Sequence, residues 1–245
     1  MRRFRSFSWK DSNFRIHARS LDAVTREIIH QRGCLEAYIA RHPAFRTSLN
    51  PTALLPDPPT IARRMSQAAA LTGVGPMAAV AGTIAQMAAE AALREGDTEV
   101  IVENGGDVFL ACHDTALVGL HAGNGNAVGD ELAFAVPPGE MPLAICSSSA
   151  RMGHSLSLGD CDLATVVARD ASLADAAATL ACNLTRTLHD VDATLARITG
   201  IPGVNGLLLV KGERVGLSGR LPPLVRSRDP LQEEKVTRDS RSDPE

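Results

Sequence analysis

From residue 98 to residue 146 the apolar residues come in short runs, each stopped by Gly, Asn, Pro or Asp. That punctuation admits strands and hairpins and excludes a long helix. The first run, residues 98–103, carries the β-branched triplet Val100-Ile101-Val102 and stops at Asn104-Gly105-Gly106-Asp107. Residues 108–112, 117–122, 131–136 and 143–146 repeat the pattern, so the centre of the chain is expected to be a β meander. Residues 4–9 and 14–18 nearly alternate around Asp11-Ser12-Asn13 and predict an opening hairpin. Residues 163–168 predict a further strand, and residues 207–210 and 215–217, joined at Gly212-Glu213, predict a closing hairpin.

Helical spacing fills the intervals. Ser20 is the expected N-cap of a helix in which Leu21, Val24, Ile28 and Ile29 share a face, with Gly33 as a break before residues 35–39 and Pro43 as the end. Pro51, Pro56, Pro58 and Pro59 mark a surface linker. Two helices follow over residues 61–71 and 77–93, with Pro76 suited to a first helical position. Gly75, Ala78, Ala79, Gly82 and Ala85 give the second a small-residue face, open either to the core or to a partner such as a second copy in a homo-oligomer. Ser172 opens an Ala- and Leu-rich helix running to about residue 188, and residues 191–198 form another. The elements together predict one α+β domain over residues 1–225, a mainly antiparallel sheet packed against helices. Residues 226–245, mixed in charge and nearly free of apolar side chains, read as a charged disordered tail.

Composition narrows the function classes. With 44% hydrophobic and 22% charged residues in 245, the chain is neither wholly disordered nor fibrous, and it is long enough to bury a core without metal or disulfide staples. A net charge of −3 and a pI near 6.2 provide no overall positive field for a phosphate backbone, so no nucleic-acid partner is expected. The N-terminal segment MRRFRSFSWKDSNFRI is basic without the apolar stretch of a secretory leader. The longest apolar run, residues 74–89, is interrupted by Thr83 and Gln86 and falls short of a membrane span. A cytoplasmic location with no membrane association is therefore expected. Cys34, Cys112, Cys146, Cys161 and Cys182 form no CxxC pair and read as reduced, mostly buried thiols.

Three segments carry candidate chemistry. Asp175, Thr179 and Asn183 lie four residues apart on one face of an otherwise apolar helix, a stripe of oxygen donors suited to a hard cation such as Mg²⁺. Ser172 and Asp175 also have the spacing of a capping box, in which Asp175 merely satisfies the first turn. Gly105 and Gly106 allow close approach of a phosphate or ring to the backbone, with Asp107 beside them to orient a ligand; the same residues also suit a plain tight turn. Ser147, Ser148 and Ser149, followed by Gly153-His154-Ser155-Leu156-Ser157, concentrate hydroxyls and backbone donors around an imidazole that can act as a general base. The second group is also like a hydrolase nucleophile elbow at Ser155, with Ser157 where that elbow has glycine.

In order along the chain, GVGPMAAVAGTIAQ, VIVENGGDVFL, CSSSARMGHSLSLG and LADAAATLACN resemble uncharacterised protein family 0280, over nearly everything before the charged tail. That family is similar to the ApbE-like superfamily, whose characterised branch is the FAD:protein FMN transferases. The resemblance implies a T-fold-related architecture, a flavin-nucleotide site at Gly105, Gly106 and Asp107, a reactive histidine at His154, and Mg²⁺ on Asp175 and Thr179. The transferases carry an Ala-Lys-Gly motif where Val80-Ala81-Gly82 stands here, and Asp-Pro-Arg-Thr-Gly after the histidine where Ser155-Leu156-Ser157-Leu158-Gly159 stands. The expected function is Mg²⁺-dependent binding or pyrophosphate chemistry on FAD or a related nucleotide. In that reading Ser147, Ser148, Ser149 and Ser155 help hold the ligand. The alternative is a non-catalytic cofactor-binding or accessory protein in a biosynthetic or sulfur-related pathway.

Overall fold

The computed structural model describes residues 2–122, 132–150 and 159–226. Its main sheet has eight strands in the order β1 (Arg5–Trp9), β2 (Ser12–His17), β3 (Val100–Asn104), β4 (Asp107–Ala111), β7 (Leu143–Ser148), β8 (Leu163–Ala168), β9 (Val204–Lys211), β10 (Arg214–Gly219), every neighbouring pair antiparallel. A second sheet of three strands runs β11 (Leu224–Arg226), β6 (Leu132–Val136), β5 (Ala116–Gly119). The helices are α1 (Leu21–Arg41), α2 (Pro43–Thr47), α3 (Thr60–Thr72), α4 (Val80–Arg94), α5 (Ala171–Leu184) and α6 (Asp190–Thr199), with a 3₁₀ turn at Pro76–Ala79 leading into α4.

The wiring repeats. The hairpin β1–β2, helices α1–α4 and hairpin β3–β4 are followed by β7–β8, α5–α6 and β9–β10, and the two halves join where β4 pairs with β7. Side chains alternate across that sheet because successive strand residues point to opposite faces. Val100, Val102, Phe109, Ala144, Cys146, Ala164, Val166, Leu207 and Leu209 pack toward the helices. Ile101, Val108, Leu110, Leu143, Ile145, Leu163, Val167, Leu208 and Val210 pack instead with Ala116, Leu120, Phe134 and Val136 under the second sheet. Burial on both faces is why these strands read as continuous apolar runs rather than as half-polar alternation.

Several expectations are corrected. The supposed central meander is split: β5 and β6 leave the main sheet and pair with each other, with β11 on the other side of β6, so β4 is followed in the sheet by β7. The opening turn falls at Lys10-Asp11, with Lys10 at φ +56°, so Ser12 and Asn13 already lie in β2. Gly33 does not break α1, which runs unbroken through it, because no neighbour competes for that position and a single glycine costs only about 1 kcal/mol in a helix. Ser20 flanks α1 without a side-chain cap bond; its hydroxyl and N–H go to Asp97 instead. Of the small-residue face, Gly75, Ala79, Gly82 and Ala85 are buried inside the protein and Ala78 is half-buried. Among the described residues no single helix is long and apolar enough to cross a membrane.

Candidate active site

Asp107 begins β4, directly after a two-residue turn in which Asn104 pairs with Asp107. Gly105 and Gly106 have φ of +62° and +99°, backbone that L side chains rarely adopt, so the turn itself accounts for both glycines. A Cβ at either would meet nothing within 4 Å, so no close approach is built around them here. By the strand alternation Asp107 shares the helix face with Phe109. It is 4% exposed and stands opposite Cys146 on β7. The Cys146 thiol and the Ser147 N–H donate to its carboxylate, yet Oδ1 has no partner. The Ser148 hydroxyl, two residues beyond Cys146 on β7, is likewise buried and unpartnered.

α5 brings the second carboxylate. Its N-cap is Asp170, which accepts from Ser172 N at 2.8 Å and Leu173 N at 3.2 Å, so the capping box expected between Ser172 and Asp175 is not formed. Asp175 reaches the neighbouring helix instead: Oδ2 accepts from Gly82 N at 2.9 Å, and the Ala81 N–H also donates to it. Only glycine fits at 82, since a Cβ there would lie 2.4 Å from the Ala171 carbonyl oxygen and 2.9 Å from Asp175 Cβ. The Asn104 amide donates to Ala81 O at 3.2 Å and ties the end of β3 to the same helix start. Thr179 follows Asp175 by one helical turn and is buried.

Electrostatics set this corner apart. Burial raises the Asp107 pKa well above the usual carboxylate range, and the charge of Asp175 raises it further, against the opposing Cys146 and Ser147 hydrogen bonds. Burial pushes Asp175 up to about 7, against the N–H groups of Gly82 and Ala81. Burial and the two aspartates together push the Cys146 thiol up, keeping it protonated and a donor. Two carboxylates, one with an orphaned oxygen, beside buried hydroxyls form a hard oxygen set that fits Mg²⁺, an ion held through one or two carboxylates with water and phosphate completing its shell. Among the described residues no group of three or more His, Cys, Asp or Glu side chains is arranged to hold a metal by itself. A cation here would thus need ligand or solvent oxygens as well.

Not every expected residue converges. Ser147 contributes its N–H to Asp107, but its hydroxyl bonds Thr165 Oγ1 at 2.9 Å on the opposite face of the sheet, as the pleat requires. Ser148 is on the helix face, and Ser149 is buried just beyond the strand. His154 and Ser155 lie outside the described residues. The described flank Gly159 packs on α5, where a Cβ would strike the Cys182 carbonyl oxygen. Cys146, Ala81 and Gly82 were not singled out as functional from sequence. Cys146 emerges only through its register opposite Asp107, and Gly82 only through the helix crossing.

Residues 3–198 match the family model described as "AbpE bacteria". A UPF0280 protein of Methanocella arvoryzae is 40% identical over 222 residues, 91% of this chain and 87% of the relative. Another from Archaeoglobus fulgidus is 40% identical over 232 residues, 92% of this chain and 95% of the relative. Among solved structures, the flavin transferase ApbE from Vibrio cholerae superposes with a TM-score of 0.57 at 13% identity, over 93% of this chain and 97% of that one. The apo flavinyl transferase ApbE of Pseudomonas stutzeri gives 0.57 at 9% identity, over 96% and 97%. The fold is thus that of the ApbE proteins, and by sequence the chain belongs to the UPF0280 family.

Proposed function

We propose that this protein binds a flavin nucleotide or a related nucleotide with Mg²⁺ at the Asp107–Asp175 corner and acts on its pyrophosphate, in the manner of a flavin transferase. The observation that carries the reading is the buried pair of carboxylates, with Asp107 Oδ1 unpartnered, at the junction of the two repeated halves. Two buried acidic groups with no compensating positive charge are costly, and a divalent cation relieves that cost. The solved ApbE relatives of this fold are flavin transferases by name, which supplies the nucleotide class.

In this reading Asp175 and Thr179 hold the ion, and Asp107 completes the acidic side and orients the ligand. Bound there, Mg²⁺ supplies charge neutralisation to the two phosphates. The N–H groups of the Gly105-Gly106 turn and the residues Ser147, Ser148, Ser149 and Ser155 contribute hydrogen bonds to the ligand, and His154 moves a proton between the acceptor hydroxyl and the leaving phosphate. With water as acceptor, the P–O–P bridge of FAD opens and the products are FMN and AMP. The cytoplasmic setting belongs to the same proposal.

The test is incubation of the purified protein with FAD and Mg²⁺, then separation of FAD, FMN and AMP. Metal-dependent FMN and AMP, abolished in Asp175→Asn, supports the reading; unchanged FAD with a folded, cation-binding protein contradicts the pyrophosphate step. A second reading rests on Ala81, a side chain without charge where the transferase motif has lysine. It makes the protein a cofactor carrier that retains one nucleotide per chain without turnover, and sustained product release would sink it.

A further inference from the structure

Small residues meet where α4 and α5 cross: Gly82 lies directly against Ala171, and Ala85 of α4 and Ala174, Ala177 and Ala178 of α5 are also buried. Outside the Gly82 contact, where only glycine fits, such low-relief surfaces lack the large ridges and grooves that fix one helix against another, so packing along the rest of the crossing adds little to the choice of register. Polar bridges supply what the alanines lack. Asp175 accepts from Gly82 N at 2.9 Å; the Thr83 and Ser172 hydroxyls bond each other at 2.8 Å; Ala171 N donates to Gln86 Oε1 at 2.7 Å. The three fall in sequence order along α4 and in reverse order along α5, so a slip of either helix breaks all of them together.

Each bridge is also embedded. Thr83 and Ser172 are almost wholly buried, and the Thr83 hydroxyl additionally reaches the Ala79 carbonyl. Gln86 Nε2 donates to Glu90 Oε1 at 2.9 Å, and Glu90 is held by Arg64 of α3 through two bonds of 3.0 and 2.9 Å. The network therefore runs from α3 through α4 to the first turn of α5, one turn before Asp175. Buried polar contacts add little net stability but strongly disfavour arrangements that leave them unpaired.

We propose that Thr83, Ser172 and Gln86 are positioning residues that fix the register of α5 on α4 and so aim Asp175 and Thr179 at Asp107. The part of this that concerns cation affinity rests on the function proposed above; the register itself does not. Groups that orient ligating side chains typically change metal affinity by roughly 10- to 100-fold when removed.

The experiment compares the full chain with Thr83→Val, Thr83→Ser and Gln86→Leu, using Mn²⁺ as the probe for the cation site and the exchange protection of the Gly82 amide as the probe for register. Valine keeps the volume of threonine and loses the hydroxyl, whereas serine keeps the hydroxyl and loses the methyl. The expected result is that Thr83→Val and Gln86→Leu weaken Mn²⁺ binding by roughly tenfold or more and expose the Gly82 amide, while Thr83→Ser stays close to the parent in both. A role in packing alone gives the opposite order, with serine worse than valine, and that result overturns the proposal. Unchanged Gly82 protection in Thr83→Val and Gln86→Leu also overturns it. Should the parent chain bind no Mn²⁺ while the amide behaves as expected, the register stands and the cation reading falls.

Discussion

Asp97, in the connection from α4 to β3, and Asp175, on α5, are both buried aspartates that satisfy the start of a helix to which they do not belong, yet their surroundings drive them in opposite directions. Asp97 accepts from Arg19 N at 2.7 Å, from Ser20 N at 2.9 Å and from the Ser20 hydroxyl at 2.8 Å, with the Arg19 guanidinium 3.3 Å away. Burial alone would raise its pKa, but the Ser20 and Arg19 donors and the Arg19 charge outweigh it and hold the carboxyl below its ordinary value. Asp175 accepts from Gly82 and Ala81, and it faces a second buried carboxylate, Asp107, instead of a guanidinium. One aspartate is complete within the fold. The other lacks positive charge, and that deficit is what marks a candidate binding site rather than a structural cap.

The difference should be largest in cation binding. Asp107→Asn or Asp175→Asn is expected to weaken Mn²⁺ or Mg²⁺ affinity by about 100-fold, roughly 2.7 kcal/mol, in a calorimetric titration, whereas Asp97→Asn leaves it unchanged. Next comes stability. Asp97→Ala strands the Arg19 and Ser20 donors and is expected to cost about 2 kcal/mol in denaturant unfolding without metal. Asp107→Asn removes a buried acidic group whose charge repels that of Asp175 and is expected to stabilise the metal-free protein by about 1 kcal/mol, the opposite sign. Loss of stability in both variants would remove the distinction between the two regions.

The pH dependence sharpens the same contrast. Asp175 has an ordinary value of 3.8 and is raised to about 7 in the folded chain, so the folded state holds the extra proton between those values. Its contribution to stability is full below 3.8, falls as pH rises toward 7, and has a slope of up to about 1.4 kcal/mol per pH unit. Asp97, lowered, contributes stability above its unfolded value and loses it as pH falls through the folded one. Unfolding free energies of the metal-free protein between pH 4 and 7 should fall more steeply in the parent than in Asp175→Asn, where Asp107, raised chiefly by its own burial, still titrates, and saturating Mg²⁺ should flatten the parent's slope.

Most of the strands were legible in sequence because burial on both faces leaves uninterrupted runs such as Val100-Ile101-Val102, bounded by Gly and Asn. The sheet order was not, since nothing local in residues 116–119 or 132–136 says that they pair with each other, and the latter with Leu224–Arg226, instead of with β4 and β7. β11 itself is three residues long and follows Pro222-Pro223, a signature of loop. Gly33 misled because glycine carries the same letter in a break and in a tolerated helical position. At the site, Asp107 and Asp175 were each visible from their local context. Their juxtaposition was not, because it depends on α5 crossing α4 at Gly82 and on β4 meeting β7, contacts between residues far apart in the chain. Asp175 was also weighed as a cap of its own helix, whereas Asp170 takes that place and Asp175 serves α4.

The most direct measurement is diffraction at the manganese absorption edge from crystals soaked in Mn²⁺, phased independently of the metal. One anomalous peak is expected in contact with Asp107 Oδ1 and the Asp175 carboxylate, lost in Asp107→Asn. A fully occupied peak elsewhere, or none at this corner at saturating Mn²⁺ with both carboxylates ordered, would contradict it.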